Sequence, residues 1–292
     1  MDNYPFERKS VEIDGFKYTY VETGNSTAKT ILFLHNGGGD HRCWVYQLRD
    51  LANEFHCVSM DLPGFGDSTR PETTYSVEWI ASRVRPFIEK QFKTPITIFG
   101  HCIGAAVAME VAQQIPERIE RLGLVNVCGG PPGMSSDTQL FYRLMPKGSF
   151  WMRLIYPLMK YFIESKGVQR KSLEQLFADP DDLKNLGVVY EMHVSSLKIQ
   201  HISRKNLLLG MPSFAKYSRP FPKDRLKMPI QLVWGEKNTV MMPRLGAWMS
   251  EYLGAPIHWM KKGRHMVMSE EPEVFNDVLR RFMAKPEPLN KR

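Results

Sequence analysis

The chain has 292 residues, 43% apolar and 11% aromatic, which is ample for a buried core and excludes a disordered polypeptide. Its 39 Lys and Arg against 31 Asp and Glu give a net charge of +8, admitting nucleic acid, an anionic membrane or an anionic small molecule as partner. No run approaches the roughly 18 apolar residues of a transmembrane helix, and the four cysteines form no disulfide framework, so a cytoplasmic protein without stable membrane insertion is expected.

Val11 to Gly15 and Phe16 to Glu22 predict a hairpin turning at Asp14 and Gly15. Thr30 to Leu34 is wholly apolar and suits a strand covered on both faces. A Gly-rich loop, a helix over 42–53 and a strand over 55–60 follow. Next come a helix over 75–91, a strand over 95–99, a helix over 105–114 halted near Pro116, and a strand over 122–127. This alternation predicts an α/β protein with a mainly parallel central sheet. From 129 to 226 the pattern turns helical, with helices over Ser149 to Ile163 and Asp181 to Gln200. Strands resume at 229–234 and 255–259, a helix spans 273–283, and a polar tail, expected to fray, closes the chain. The expected organisation is an α/β core of residues 1–128 and 227–292 carrying an inserted helical cap of residues 129–226.

Between the strand at 95–99 and the helix from 105 lies Gly100-His101-Cys102-Ile103-Gly104. A side chain lifted out of a sharp strand-to-helix turn needs small neighbours two positions away, and the helix N-terminus behind it favours a thiolate. The segment resembles the nucleophile elbow Gly-x-Ser-x-Gly of the α/β-hydrolase family, with Cys in place of Ser. Four further segments carry the resemblance in order. His35-Asn36-Gly37-Gly38-Gly39 stands where the family has its oxyanion loop, and Asp61 to Ser68 is similar to its Asp-x-x-Gly-x-Gly-x-Ser stretch. Val233-Trp234-Gly235-Glu236-Lys237-Asn238 is similar to its Trp-Gly-x-x-Asp segment, and Gly263-Arg264-His265 precedes Glu271-Pro272. The resemblance covers roughly residues 10 to 283 and implies an α/β-hydrolase fold.

It also implies a catalytic set of Cys102 as nucleophile, His265 as acid and base, and Asn238 as the residue orienting the ring, with the amides of Gly37 and Ile103 as the oxyanion hole. Two positions depart from the family: Cys102 for Ser and Asn238 for Asp. A thiol ionises far more readily than a hydroxyl, so a neutral amide carbonyl should suffice to hold the ring of a thiolate–imidazolium pair. Glu236, two residues away, stays open as the third member. Cys43, Cys57 and Cys128 read as structural. His101 packs beneath the elbow or beside the nucleophile, and His41 is a candidate substrate contact. No metal-ligand spacing is present, and no cofactor is expected.

Phe141, Tyr142, Phe150, Trp151, Tyr156, Tyr161 and Phe162 put seven aromatics in 22 residues, interleaved with Met145, Met152 and Met159. They read as an apolar lid, with Phe141 and Trp151 as candidate substrate contacts, or as the cap's own core; Ser149 to Ile163 also has the makings of an interfacial helix. Residues 129–226 hold 15 Lys and Arg against 8 Asp and Glu, whereas the rest of the chain holds 24 against 23. The excess charge therefore belongs to the cap, which points away from nucleic acid and towards a small-molecule or carrier-linked anionic acyl substrate. Three activities fit: cleavage of an ester, thioester or lactone through an acyl-thioenzyme; acyl transfer or elimination at the same residues; or non-catalytic binding of a small molecule.

Overall fold

The computed structural model describes residues 4–144, 149–181, 187–199 and 201–284. Strands β1 (Lys9–Ile13) and β2 (Phe16–Thr23) form the expected hairpin. Its turn residues Asp14 and Gly15 both take positive φ, 52° and 75°, as a two-residue turn matched to strand twist requires. Then follow β3 (Thr30–Leu34), α1 (Val45–Asp50), β4 (His56–Met60), α2 (Val77–Gln91), β5 (Ile96–His101), α3 (Ile103–Gln114) and β6 (Ile119–Val125). The helix expected over 42–53 divides into a 3₁₀ turn at His41–Trp44 and α1. Asp40 forces the tighter start by accepting the Arg42 N–H at 3.0 Å.

Among the described residues, five α-helices stand between β6 and β7: α4 (Ser136–Leu144), α5 (Ser149–Ile163), α6 (Lys166–Leu176), α7 (Val188–Ile199) and α8 (His201–Gly210). The helix expected over 181–200 is seen as α7; residues 182–186 and 200 lie outside the described residues, as does the tail from 285. The chain returns through β7 (Ile230–Gly235), α9 (Pro243–Leu253), β8 (Ile257–Met260), α10 (Val267–Glu270) and α11 (Pro272–Ala284).

The eight strands make one sheet in the order β1-β2-β4-β3-β5-β6-β7-β8, parallel from β4 through β8 and antiparallel at the β1–β2–β4 edge. The α/β-hydrolase fold expected from the sequence is therefore present. Apolar side chains of α2, α3 and α9, such as Val84, Ala108 and Met249, cover one face. Trp44, Leu48, Phe275 and Leu279 from around α1 and α11 cover the other. Covering both faces is what the continuous apolar runs at β3 and β5 demand. Because β3, β4, β5, β7 and β8 run parallel, the loops after them converge at one edge, where open α/β sheets place their sites.

Candidate active site

A single residue, Cys102, separates β5 from α3, at φ +55° and ψ −111°. A non-glycine residue held there costs about 1–3 kcal/mol and persists only where surrounding contacts enforce it. They do. The Cys102 N–H donates to Val125 O at 2.9 Å, and its carbonyl accepts from Cys128 N at 3.0 Å and from Ala105 and Ala106 N at 3.2 Å. The flanking glycines supply clearance. A Cβ on Gly100 would stand 2.3 Å from Gly104 O, and one on Gly104 would stand 2.4 Å from Leu34 O. Cys102 is thus the N-cap of α3, a 12-residue helix, and stands at its positive end.

His265 is positioned through its backbone. Its N–H donates to Leu176 O at 3.0 Å, and its carbonyl accepts from Asn126 Nδ2 at 2.8 Å. Asn126, itself at φ +46° after β6, also accepts the Gly235 N–H on its Oδ1 at 3.0 Å, tying the end of β7 to the His265 loop. Asn238 is buried and lies 3.2 Å, Nδ2 to Nδ1, from the His265 ring, whereas Glu236 is exposed. Of the two residues left open by the sequence, Asn238 is the one in contact.

The amide faces the ring in the opposite sense to the one expected. Asn238 Oδ1 accepts the N–H groups of Val240 at 2.9 Å and Met241 at 3.0 Å. Turning the amide over would set its NH₂ against two N–H donors and leave both unsatisfied, which the backbone does not tolerate in a buried turn. The NH₂ therefore donates to His265 Nδ1, that nitrogen keeps its lone pair, and the proton of the neutral ring sits on Nε2. An imidazolium would set Nδ1–H against an amide N–H.

The neighbouring Cys128 thiol holds Cys102 well below the ordinary thiol range; burial opposes the shift, while the His265 ring and the Ile103 N–H reinforce it. The Cys128 sulfur itself stands 3.8 Å from Met211 Sδ. Cys128 is pushed well above that range in return, by Cys102 and by burial. Cys128, expected to be structural only, thus neighbours Cys102, its N–H donating to the Cys102 carbonyl at 3.0 Å, a closeness that the sequence did not reveal. Its signal lies in the register, since His101 pairs with Val125 and the residues following β5 and β6 are thereby neighbours. His101 is buried, with its ring centroid 4.6 Å from that of His265 at 49°. Burial pushes it well below the usual imidazole range, so it packs there as a neutral ring. The Tyr142 phenol of α4 is pushed up by burial and then by the two cysteines, and its part-buried ring packs against the core cluster that includes Cys102 and Cys128.

Gly37 lies against Ile103. A Cβ on it would stand 3.6 Å from Ile103 Cγ2 and 2.8 Å from Leu207 Cδ2 of α8. Cys102 is only 7% exposed and His265 1%, so the helical segment closes over both. His35 locks the Gly-rich loop, donating from Nδ1 to Asn36 O at 2.7 Å and accepting the Leu62 N–H on Nε2 at 2.9 Å.

Two of the expected substrate contacts, His41 and Trp151, lie elsewhere. The His41 ring is bonded to Asp61 Oδ1 at 2.7 Å and lines a cavity of about 300 Å³ with Tyr4, Arg8 and Ser195, a cavity that neither Cys102 nor His265 borders. Burial pulls the His41 ring down, but Asp61 outweighs it and raises the ring above its usual range. Asp40, His41 and Asp61 bring ligand-type atoms within 4.8 Å of one another. Arg42 engages Asp40, and the Asp67 N–H and His41 engage Asp61, so protein donors already use these carboxylates. Trp151 is exposed on α5 and meets Phe150 edge-on, turned towards solvent rather than towards Cys102. The side chains of Phe141 and Met152, and the whole of Met145, lie outside the described residues.

The sequence profile described as the alpha/beta hydrolase family matches residues 31–278. An uncharacterized protein of Mycobacterium tuberculosis is 26% identical over 284 residues, covering 94% of this chain and 81% of that one. Epoxide hydrolase 1 of Caenorhabditis elegans is 21% identical, covering 96% of this chain and 71% of its own. Among solved structures, an enol-lactonase from Burkholderia xenovorans superposes with a TM-score of 0.72 at 17% identity, covering 95% of this chain and all (100%) of that one.

Proposed function

The chain belongs to the alpha/beta hydrolase family, and from that premise we propose that it cleaves activated acyl groups, thioesters or enol esters, through a covalent thioester on Cys102. The observation that carries this reading is the orientation of the Asn238 amide, with Oδ1 committed to Val240 and Met241 and Nδ2 facing His265. A serine enzyme needs its histidine to take a proton at Nε2. Here Nε2 already holds one. Cys102 therefore acts as a thiolate formed before substrate arrives, stabilised by the neighbouring Cys128 thiol, the His265 Nε2–H and the Ile103 N–H.

The thiolate attacks the acyl carbon, and the carbonyl electrons move onto oxygen, held by the amides of Gly37 and Ile103. The tetrahedral species collapses, the bond to the leaving group breaks and its electron pair departs with it; water then adds to the thioester carbonyl and loses its proton to solvent, the carbon–sulfur bond breaks, and Cys102 leaves as the thiolate. With no second ring proton to give, the site suits leaving groups stable as anions: a thiolate, or the enolate of an enol ester or enol-lactone. An epoxide, the substrate named for the nematode relative, would leave Cys102 alkylated as a thioether, which water does not hydrolyse; a thioester is readily cleaved. In this reading residues 129–226 are the cap. Tyr142 and Leu207 enclose the acyl group, and the +7 of this segment attracts an anionic or carrier-borne substrate. Entry requires α8 to move, because Leu207 covers Gly37.

The Nε2 proton also favours a second reading, acyl transfer. A ring that already holds that proton is a poor base for water, whereas an acceptor thiolate needs no base.

Intact-mass measurement with a matched panel of acyl thioesters, aryl esters and ethyl esters tests both. An adduct on Cys102, absent in Cys102→Ala, is expected, with ethyl esters slower than thioesters by about 10²-fold or more. Equal rates for the two classes would show that the leaving group receives a proton after all. No adduct at all, with ligand binding unchanged in Cys102→Ala, would mark the chain as a binder. An adduct that accumulates until a thiol is added marks transfer.

A further inference from the structure

Helix α5 presents an apolar face with nothing over it among the described residues. Phe150, Trp151, Leu154, Leu158, Tyr161 and Phe162 are between 53% and 78% exposed. At about 100° per residue these six fall within a sector of about 120°. Tyr156, on the opposite side, is buried, and α5 packs on α6 and α8. The stripe is therefore the outward face of a helix whose inner face is already satisfied. Exposed apolar area of this size on a helix mostly marks an interaction surface.

The flanking charge selects the occupant. Residues 143–171 contain seven Lys and Arg, namely Arg143, Lys147, Arg153, Lys160, Lys166, Arg170 and Lys171, against the single acid Glu164, a net of +6 in 29 residues. Glu164 is paired with His201 at 3.0 Å. A second copy of the chain docking symmetrically through α5 would set +6 against +6, which costs rather than stabilises. An anionic lipid surface answers both features. Phe, Trp, Leu and Tyr enter the boundary between headgroups and acyl chains, and the cations meet the headgroup phosphates. No helix among the described residues is long and apolar enough to cross a membrane, so the mode is lying on the surface.

We propose that α5 is a membrane-docking helix that places the protein on anionic bilayers. This is independent of the chemistry at Cys102. The test is sedimentation of the full chain with vesicles of phosphatidylcholine alone and of phosphatidylcholine with 30% phosphatidylglycerol, at low and high salt. Binding to the mixed vesicles, weakened by salt and at least about tenfold lower on phosphatidylcholine alone, is expected. Leu154→Glu/Leu158→Glu, both exposed and therefore compatible with folding, should lower the bound fraction by about tenfold or more at an unchanged melting temperature and an unchanged Cys102 alkylation rate. Binding that survives this double substitution, or no binding to mixed vesicles, overturns the proposal. So does a wild-type dimer that the double substitution converts to monomer, because the face would then be a contact between copies.

Discussion

The two regions that meet at Cys102 are built on opposite terms. On the sheet side each group near the sulfur is fixed by backbone: Cys102 bonds to Val125 and Cys128, Asn126 bridges His265 and Gly235, and two glycines leave no room for a methyl group. On the helical side, α5 turns large apolar residues outward, and the 129–226 segment carries nearly all the excess charge. In the proposed function the difference separates two tasks: the sheet edge sets which bond is attacked and in which protonation state, and the helices set what approaches. Substitutions at the sheet edge should therefore be costly and specific, and those on the helices tolerated by the fold.

The largest expected effect is that of Cys102→Ser. A hydroxyl needs a base, and His265 has its Nε2 occupied by a proton as long as Asn238 donates to Nδ1. Single-turnover acylation by an aryl ester should fall by about 10³-fold or more. Adding Asn238→Asp should restore at least about tenfold, because a carboxylate can accept from Val240, Met241 and Nδ1–H together and so free Nε2. In the wild-type Cys background the same Asn238→Asp should not raise the rate. A serine variant within a few-fold of wild type would rule out the Nε2–H tautomer and with it the contrast between the two regions.

Next in size is Gly104→Ala. Its Cβ would meet Leu34 O at 2.4 Å and His35 O at 2.6 Å, both backbone atoms, so the elbow must shift. A loss of about 3 kcal/mol or more in denaturant unfolding is expected.

That position also shows what was legible in the sequence. Two glycines flanking a nucleophile-type residue, between an apolar strand and a helix, state a steric need directly: a tight elbow requires both. The hairpin at Asp14 and Gly15 and the both-faces-buried strand β3 were readable for the same reason. The direction of the Asn238 amide was not, because it depends on which backbone N–H groups the turn after β7 leaves unpaired. Cys128 was not, because its closeness to Cys102 comes from the register of β5 on β6 rather than from local spacing. The outward stripe of α5 was legible only as the makings of an interfacial helix: Tyr156 and Leu158 look alike in sequence, and only packing decides which faces in. His41 looked free to reach a substrate until Asp61, 20 residues on, claimed its ring.

A subtler test of the sheet-side network is Cys128→Ala. Removing the neighbouring Cys128 thiol takes away the leading cause of the lowered ionisation of Cys102, so the Cys102 thiol should ionise at higher pH. In the wild type, alkylation by iodoacetamide should keep its full rate well below the ordinary thiol range of about 8.5. In Cys128→Ala the inflection should move upward, so the thiolate fraction at pH 7 and the alkylation rate there should both drop. An unmoved profile would assign the low ionisation to His265 and the helix N-terminus instead.

The smallest effect probes the helical side. Gly167 lies in the first turn of α6, after the N-cap Ser165, and a Cβ there meets nothing within 4 Å. Gly167→Ala removes backbone freedom from the unfolded chain without straining the folded one, so it should stabilise by about 0.5 kcal/mol. The denaturation midpoint reads this directly, provided the slope is unchanged. Set beside Gly104→Ala, the same chemical change should carry opposite signs in the two regions, because one methyl meets a carbonyl and the other meets solvent. A loss at Gly167 as large as that at Gly104 would mean that the helices are packed as tightly as the elbow, and that substrate entry past Leu207 needs a different route.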